Sequence, residues 1–307
     1  MTTHETIIPR PIESVLVIGA GLMGSGIAQV VATALHSVTL SDVSPNALDI
    51  ARDRIADSLR RLVASKRLPE DAPQEVLSRI KFTTDASEPA EAADLVIEAV
   101  IEDLEVKQDL FETLDAICPP NVILATNTSQ YPIGRVGLRC KTKQRIVGMH
   151  WSNPPPLMPL VEIIAADTTA DSVLAATLNF VHACGHQTVI CRKDVPGFIS
   201  TRLYQALVLE AMRIVEDGLA TAEDVDSVAR LMHGHKMGPL AALDFAGLDT
   251  ALKVSKELSS FYGSRFNASP MLQSLVDAGH TGRKSGEGFY KYPVGSQRVS
   301  PGRLPPK

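Results

Sequence analysis

Two short stretches of the chain carry residue types whose spacing could do chemistry. The first, Gly19-Ala20-Gly21-Leu22-Met23-Gly24, is a GxGxxG set between an apolar run, Val15 to Ile18, and a helical pattern from Leu22 to about Ala34. In that setting Gly19 permits the tight turn, Gly21 lets the backbone approach a pyrophosphate, and Gly24 lets helix and strand pack. The N–H groups of the first helical turn, from Leu22 and Met23 onward, then face the phosphate. The second stretch, Arg145-Ile-Val-Gly-Met-His150-Trp-Ser-Asn153-Pro-Pro-Pro156, is a strand pattern running into a rigid proline-rich loop. His150 therefore falls near a strand end, where open α/β sheets bind ligands, and an imidazole suits proton transfer near neutral pH. Glu162, on the next strand pattern, could accept a hydrogen bond from the ring, fix its tautomer and stabilise its cation. A histidine that satisfies a buried hydrogen bond and a glutamate on the surface fit the same spacing, and the residues alone leave both readings open.

The second strand pattern, Val38 to Leu40, leads to Asp42, 21 positions after Gly21. A carboxylate there accepts hydrogen bonds from ribose hydroxyls and repels a 2′-phosphate, so the cofactor expected is NAD and not NADP; the competing role for Asp42 is to cap the helix beginning near Pro45. Oxidation of an alcohol with NAD needs a base for the hydroxyl proton, which is the role His150 would fill. Asn127-Thr128-Ser129 follows another apolar strand at the same sheet edge. These groups could anchor a substrate oxygen or the nicotinamide, or simply close the strand as an Asx-turn. Glu102 and Lys107 read as cofactor contacts or as an exposed ion pair on a helix face. His233-Gly-His235 has no carboxylate or cysteine nearby to complete a ligand set, so no metal site is expected.

The elements that must hold these residues alternate as βαβ units. Further strand patterns fall at Leu95 to Ile97, Val122 to Ala125, Arg145 to Met149 and Val161 to Ile164, with a two-helix insertion over about 45–80 broken near Pro69 and Pro73. This predicts an α/β fold: an N-terminal Rossmann-type, doubly wound parallel sheet over 1–192, followed by an all-helical domain over 193–307. In the latter, the helical pattern from Phe198 to Val215 is stopped by Gly218, and Thr221 with Asp224 forms a capping box for the next helix. With 45% hydrophobic and 21% charged residues the chain is an ordinary globular one, and its formal charge of −5 argues against nucleic acid or anionic membrane as a partner. The four cysteines, Cys118, Cys140, Cys184 and Cys191, lack any metal-ligand spacing and read as reduced thiols, which suits a cytoplasmic compartment. The first fourteen residues lack the features of a signal or transit peptide and read as a short extension. No apolar run reaches the length of a membrane span, so a soluble protein is expected.

Between Ala51 and Arg67 the charge reverses sign. Six basic residues (Arg52, Arg54, Arg60, Arg61, Lys66, Arg67) face two acidic ones (Asp53, Asp57), a net of +4, so the rest of the chain carries −9. A solvated helix face is the alternative to an anion site there.

Several blocks in order resemble the L-3-hydroxyacyl-CoA dehydrogenase family, from Val15 to about Tyr292: GAGLMGSGIA at Gly19, VIEAVIEDLEVK at Val96, Asn127 to Ser129, GMHWSNPPPLMPLVEI at Gly148, PGFISTRL at Pro196, MGPLAALDFAGLDT at Met237 and GRKSGEGFYKY at Gly282. The resemblance implies that His150 is the catalytic base with Glu162 its partner, that Ser129 bonds the substrate oxygen, and that Glu102, Lys107, Asn127 and Asn153 line the nicotinamide side. It implies contact of the insertion with the nucleotide end of an acyl-CoA, for which Ser58 and Lys66 are the nearest matches, and a homodimer built on the C-terminal domain. Three positions depart from the family pattern. Thr201 stands where an Asn usually holds the substrate, Trp151-Ser152 replaces Phe-Phe, and Leu35 replaces the glycine that ends the first helix. The reading that follows is NAD-dependent oxidation of a short-chain L-3-hydroxyacyl-CoA. Its alternative is a dehydrogenase of the same fold acting on a small non-CoA hydroxy acid or aldehyde, because Trp-Ser-Asn-Pro-Pro resembles such branches. A non-catalytic NAD-binding protein would need neither His150, Glu162 nor Ser129.

Overall fold

The computed structural model describes residues 9–292 and 300–301, so the expected N-terminal extension lies outside the described residues as far as position 8. The chain divides into two compact units at Val195 and Pro196.

In the first unit the apolar run Ser14–Ile18 forms β1, and four of its five residues are buried, as a strand covered on both faces requires. There follow α1 (Leu22–Thr33), β2 (Ser37–Ser41), α2 (Pro45–Ala64), α3 (Ala72–Ser78), β3 (Ile80–Thr83), α4 (Ser87–Ala92), β4 (Leu95–Glu98), α5 (Leu104–Ile117), β5 (Ile123–Thr126), α6 (Ile133–Val136), β6 (Ile146–Trp151), β7 (Leu160–Ala165), α7 (Asp171–Ala183) and β8 (Gln187–Cys191). The sheet order is β3-β2-β1-β4-β5-β6-β7-β8. The strands from β3 to β6 pair in parallel, and the order reverses between β1 and β4, the position at which doubly wound sheets take a ligand. The end of the sheet differs from the all-parallel expectation. β7 runs antiparallel to β6 because the connection at 152–159 is too short for a helical crossover, and β8 pairs in parallel with β7. The sequence reading missed β3 and β8. Both are edge strands with a single buried residue each, the first of β3 and the last of β8, so neither carries the apolar run that marks the central strands.

The insertion is helical as expected. Ser44 caps α2, its Oγ accepting from the Ala47 N–H at 3.3 Å with Pro45 in the first turn, and Leu48, Ala51, Ile55 and Leu59 form its buried stripe. At the end of α1 the N–H of Leu35 donates to Ala32 O and that of His36 to Val31 O, a Schellman closure that places Leu35 at φ 72°. The start of β6 is pinned by a buried ion pair: Arg145 Nη2 donates to Asp115 Oδ1 at 2.8 Å, with side chains 1% and 5% exposed. Burial alone would raise the Asp115 carboxyl, but Arg145 and the N–H groups of Lys141 and Thr142 outweigh it and lower the pKa.

The second unit holds α8 (Ser200–Glu216), α9 (Ala222–Leu231), α10 (Pro239–Ala246), α11 (Leu248–Tyr262) and α12 (Pro270–Asp277). Gly218, at φ 69°, closes α8, and Thr221 with Asp224 makes the reciprocal box that opens α9. The unit is not wholly helical, since β9 (Tyr290–Lys291) and β10 (Ser300–Pro301) form a small antiparallel ribbon. Two buried carboxylates organise it. Asp226 accepts from the N–H groups of Leu240 and Ala241 and from Tyr290 Oη–H. Asp244 accepts from the N–H groups of Phe289 and Tyr290 and from Tyr292 Oη–H, and burial raises it to about 6. The blocks around Met237 and Gly282 thus meet on carboxylates that hold the unit together.

Candidate active site

The glycine-rich turn has the shape its spacing predicts. Gly19 sits at φ 103°, and a Cβ there would meet the Ala99 carbonyl oxygen at 2.5 Å, while one on Gly24 would meet the Gly19 oxygen at 1.7 Å. Gly21 is different, because a Cβ there meets nothing within 4 Å. Packing within the protein does not demand glycine at that position, and the open space lies at the start of α1, which no side chain caps. An uncapped helix N-terminus behind open space fits a phosphate group. Asp42 follows β2 and is half-buried. Its Oδ2 accepts from the Ala20 N–H at 2.8 Å and its Oδ1 from the Ser44 N–H at 2.9 Å. Ser44 and not Asp42 caps α2, so the carboxylate ties the glycine-rich turn to the end of β2 and keeps lone pairs for a ligand.

His150 and Glu162 are directly opposed in the antiparallel register of β6 and β7. That register puts both side chains on one face, with His150 Nδ1 3.0 Å from Glu162 Oε2 and side chains 15% and 3% exposed. Glu162 is therefore not a surface charge, and the ring nitrogen it pairs with is Nδ1 and not Nε2. Asn127 Oδ1 accepts from the Trp151 N–H at 2.9 Å, which ties the loop carrying Ser129 to the strand end carrying His150. Ser129 is half-buried and Asn153 exposed on the neighbouring proline loop.

Glu102 and Lys107 do not form an exposed helix-face pair. Lys107 Nζ, 1% exposed, lies 2.6 Å from Glu98 Oε1 and 3.1 Å from Glu102 Oε2. Burial works to lower the Lys107 pKa, but the two carboxylates outweigh it and the net shift is upward. Glu102 Oε1 accepts from Thr128 Oγ1–H at 2.6 Å and from the Ser129 N–H at 3.0 Å, so the cluster holds the Ser129 loop directly. Glu98 was missed by the sequence reading. The only available signal was a glutamate closing an otherwise apolar strand.

A cavity of about 460 Å³ lies between α1, α2 and the proline loop, lined among others by Ser25, Gln29, Arg54, Ser58, Arg61, Arg67 and Pro154 to Leu157. The basic run is thereby sorted. Arg54, Arg61 and Arg67 line the cavity with Ser58. Arg52 stacks on Phe82, Arg60 pairs with Asp57, and Lys66, at φ 58° in the turn after α2, is exposed and not among the lining residues. Thr201 lies in the first turn of α8 in the second unit, half-buried. Among the described residues no group of three His, Cys, Asp or Glu could hold a metal, and no helix is long and apolar enough to cross a membrane.

Residues 14–195 match the family model described as the NAD binding domain of 3-hydroxyacyl-CoA dehydrogenase, and residues 197–292 match the one described as its C-terminal domain. The chain belongs to the 3-hydroxyacyl-CoA dehydrogenase family. It is 40% identical over 284 residues to the 3-hydroxybutyryl-CoA dehydrogenase of Mycobacterium tuberculosis, covering 92% of this chain and 99% of that one. The crystal structure of (S)-3-hydroxybutyryl-CoA dehydrogenase from Ralstonia eutropha superposes with a TM-score of 0.86 at 35% identity, over 92% of this chain and 99% of the other. A pyridine-carboxylic-acid relative, 5-formyl-3-hydroxy-2-methylpyridine 4-carboxylic acid 5-dehydrogenase, described as an NAD+-dependent dismutase, has a TM-score of 0.77 at 35% identity over 92% of each chain. The resemblance read from the sequence blocks is borne out at the level of family and fold.

Proposed function

We propose that this protein oxidises a short-chain L-3-hydroxyacyl-CoA to the 3-ketoacyl-CoA with NAD. The observation that carries the reading is the His150–Glu162 pair, 3.0 Å apart at the ligand-binding edge of a sheet whose first turn fits a dinucleotide. His150 Nε2 takes the substrate hydroxyl proton, and the buried Glu162 carboxylate stabilises the imidazolium that forms. Ser129 Oγ, on the loop held by Glu102 and Asn127, bonds the substrate oxygen. The free start of α1 holds the pyrophosphate and Asp42 the ribose hydroxyls. NAD, when bound, supplies the hydride acceptor. Arg54, Arg61 and Arg67 supply the local cationic site that a polyanionic CoA tail needs on a chain of formal charge −5. Leu203, Leu219, Leu231 and Met232 in the second unit, each at least 68% exposed, offer apolar side chains that a homodimer interface would bury.

A second reading, oxidation of a small non-CoA aldehyde or hydroxy acid, is favoured by the pyridine-carboxylic-acid relative and by Trp151-Ser152 beside the base. A panel decides between them. Initial rates with NAD are compared for 3-hydroxybutyryl-CoA, longer 3-hydroxyacyl-CoAs, free hydroxy acids and aromatic aldehydes, with Thr201→Asn run alongside. The expected result is turnover confined to the CoA thioesters, retained or improved in Thr201→Asn. Turnover of the free acids or aldehydes at equal or greater kcat/KM would overturn the CoA reading.

A further inference from the structure

Glu98, Lys107 and Glu102 form an arrangement that proton and hydride transfer do not by themselves require. Glu98 is fully buried, Lys107 is 1% exposed, and Glu102 alone reaches solvent, at 33%. One ammonium between two carboxylates leaves a formal charge of −1, and surroundings this poor in water screen it weakly. The position of each carboxylate is over-determined. Glu98 accepts from the Val100 N–H at 2.8 Å and Thr126 Oγ1–H at 2.6 Å, besides Lys107. Glu102 accepts from Thr128 Oγ1–H and the Ser129 N–H.

The location gives this charge a consequence. β4, which ends in Glu98, lies beside β1 on the side away from β2. A dinucleotide whose pyrophosphate meets α1 and whose adenosine ribose meets Asp42 beyond β2 must carry its other half toward β4 and β5. That half bears the nicotinamide ring, which is cationic when oxidised and neutral when reduced. A fixed negative charge at the ends of β4 and β5 attracts only the oxidised form.

Resting on the reading of NAD as cofactor, we propose that Glu98 is a positioning residue that holds Lys107 between two carboxylates, so that the site keeps one net negative charge and raises its affinity for NAD+ relative to NADH. After oxidation the reduced cofactor is then held less firmly than a neutral site would hold it, which favours its release. Lys107 without Glu98 would cancel the Glu102 charge and remove the discrimination.

The test counts charges. Dissociation constants are measured for NADH by its fluorescence and for NAD+ by displacement of NADH, in native protein, Glu98→Gln, Lys107→Met and the double variant. The cluster then carries formal charges of −1, 0, −2 and −1 in that order. The ratio Kd(NADH)/Kd(NAD+) is expected to fall about three- to tenfold in Glu98→Gln, to rise by a similar factor in Lys107→Met, and to return close to native in the double variant. A purely structural role for Glu98 predicts no such return, because the double variant has lost more contacts than either single one. An unchanged ratio across the folded variants, or a double variant that follows either single variant, overturns the proposal. Should Glu98→Gln not fold in a thermal melt, native protein, Lys107→Met and the double variant still supply the series −1, −2 and −1 and the same decision. Native protein that binds neither form would sink the NAD reading along with this one, whereas binding with an immobile ratio sinks only the role of Glu98.

Discussion

Removing the Asp42 carboxylate tests the cofactor assignment with a size that follows from the geometry. Two of its lone pairs are engaged, one by the Ala20 N–H at 2.8 Å and one by the Ser44 N–H at 2.9 Å. A carboxylate offers about four such positions, so roughly two remain for ribose hydroxyls. A hydrogen bond to a charged acceptor contributes about 1.5–3 kcal/mol, and losing one raises KM for NAD by about 10- to 150-fold in Asp42→Ala. The same change removes the negative charge opposed to a 2′-phosphate, so KM for NADP should fall or hold while that for NAD rises. Asp42→Asn keeps one acceptor oxygen and should lie between. The assay is initial rates with 3-hydroxybutyryl-CoA over a range of NAD and NADP, beside a thermal melt that separates loss of the loop anchor from loss of the ribose contact. Native protein that uses NADP as well as NAD, or an Asp42→Ala variant that loses equally on both, refutes the reasoning.

Two further outcomes test other parts of the account. Leu35 holds φ 72° and is 73% exposed, so Leu35→Gly should relieve a left-handed penalty of about 1–2 kcal/mol, less about 0.5–1 for the added freedom of the unfolded chain, a net gain of at most about 1.5 kcal/mol that raises the melting temperature by up to about four degrees. Leu35→Ala removes the apolar side chain but keeps the strain, and an equal gain there would locate the cause in the side chain instead. Reversing Arg61 and Arg67 to Glu should raise KM for acyl-CoA and weaken its salt dependence, with little effect on a truncated thioester lacking the nucleotide. Lys66→Glu, outside the cavity lining, should do less, and an equal effect would move the CoA site away from the cavity.

Much of this was legible in the residues because the physics was local. Val15 to Ile18 could only be a doubly covered strand, the GxGxxG fixed the turn that follows it, and Thr221 with Asp224 announced the helix it caps. The His150–Glu162 pair was visible only as a possibility, since pairing across strands depends on a register that spacing does not set. The antiparallel turn of β7 settles that register. Glu98 was hidden because a charge inside an apolar strand has meaning only through partners on α5 and β5. The net +4 of the insertion was readable, but not its division into cavity-facing Arg54, Arg61 and Arg67 and outward Arg52, Arg60 and Lys66, which depends on helix phase and on the turn after α2.

The most direct test of the central claim is the rate of hydride transfer in a single turnover of 3-hydroxybutyryl-CoA, followed by NADH absorbance in native protein and in His150→Gln, with the NAD dissociation constant measured on both. Positioned proton transfer contributes about 10²- to 10⁴-fold, so His150→Gln should slow the step by at least about a hundredfold while NAD binding stays close to native. Transfer at a near-native rate in His150→Gln would contradict the account, because the hydroxyl proton would then leave without the imidazole as its base.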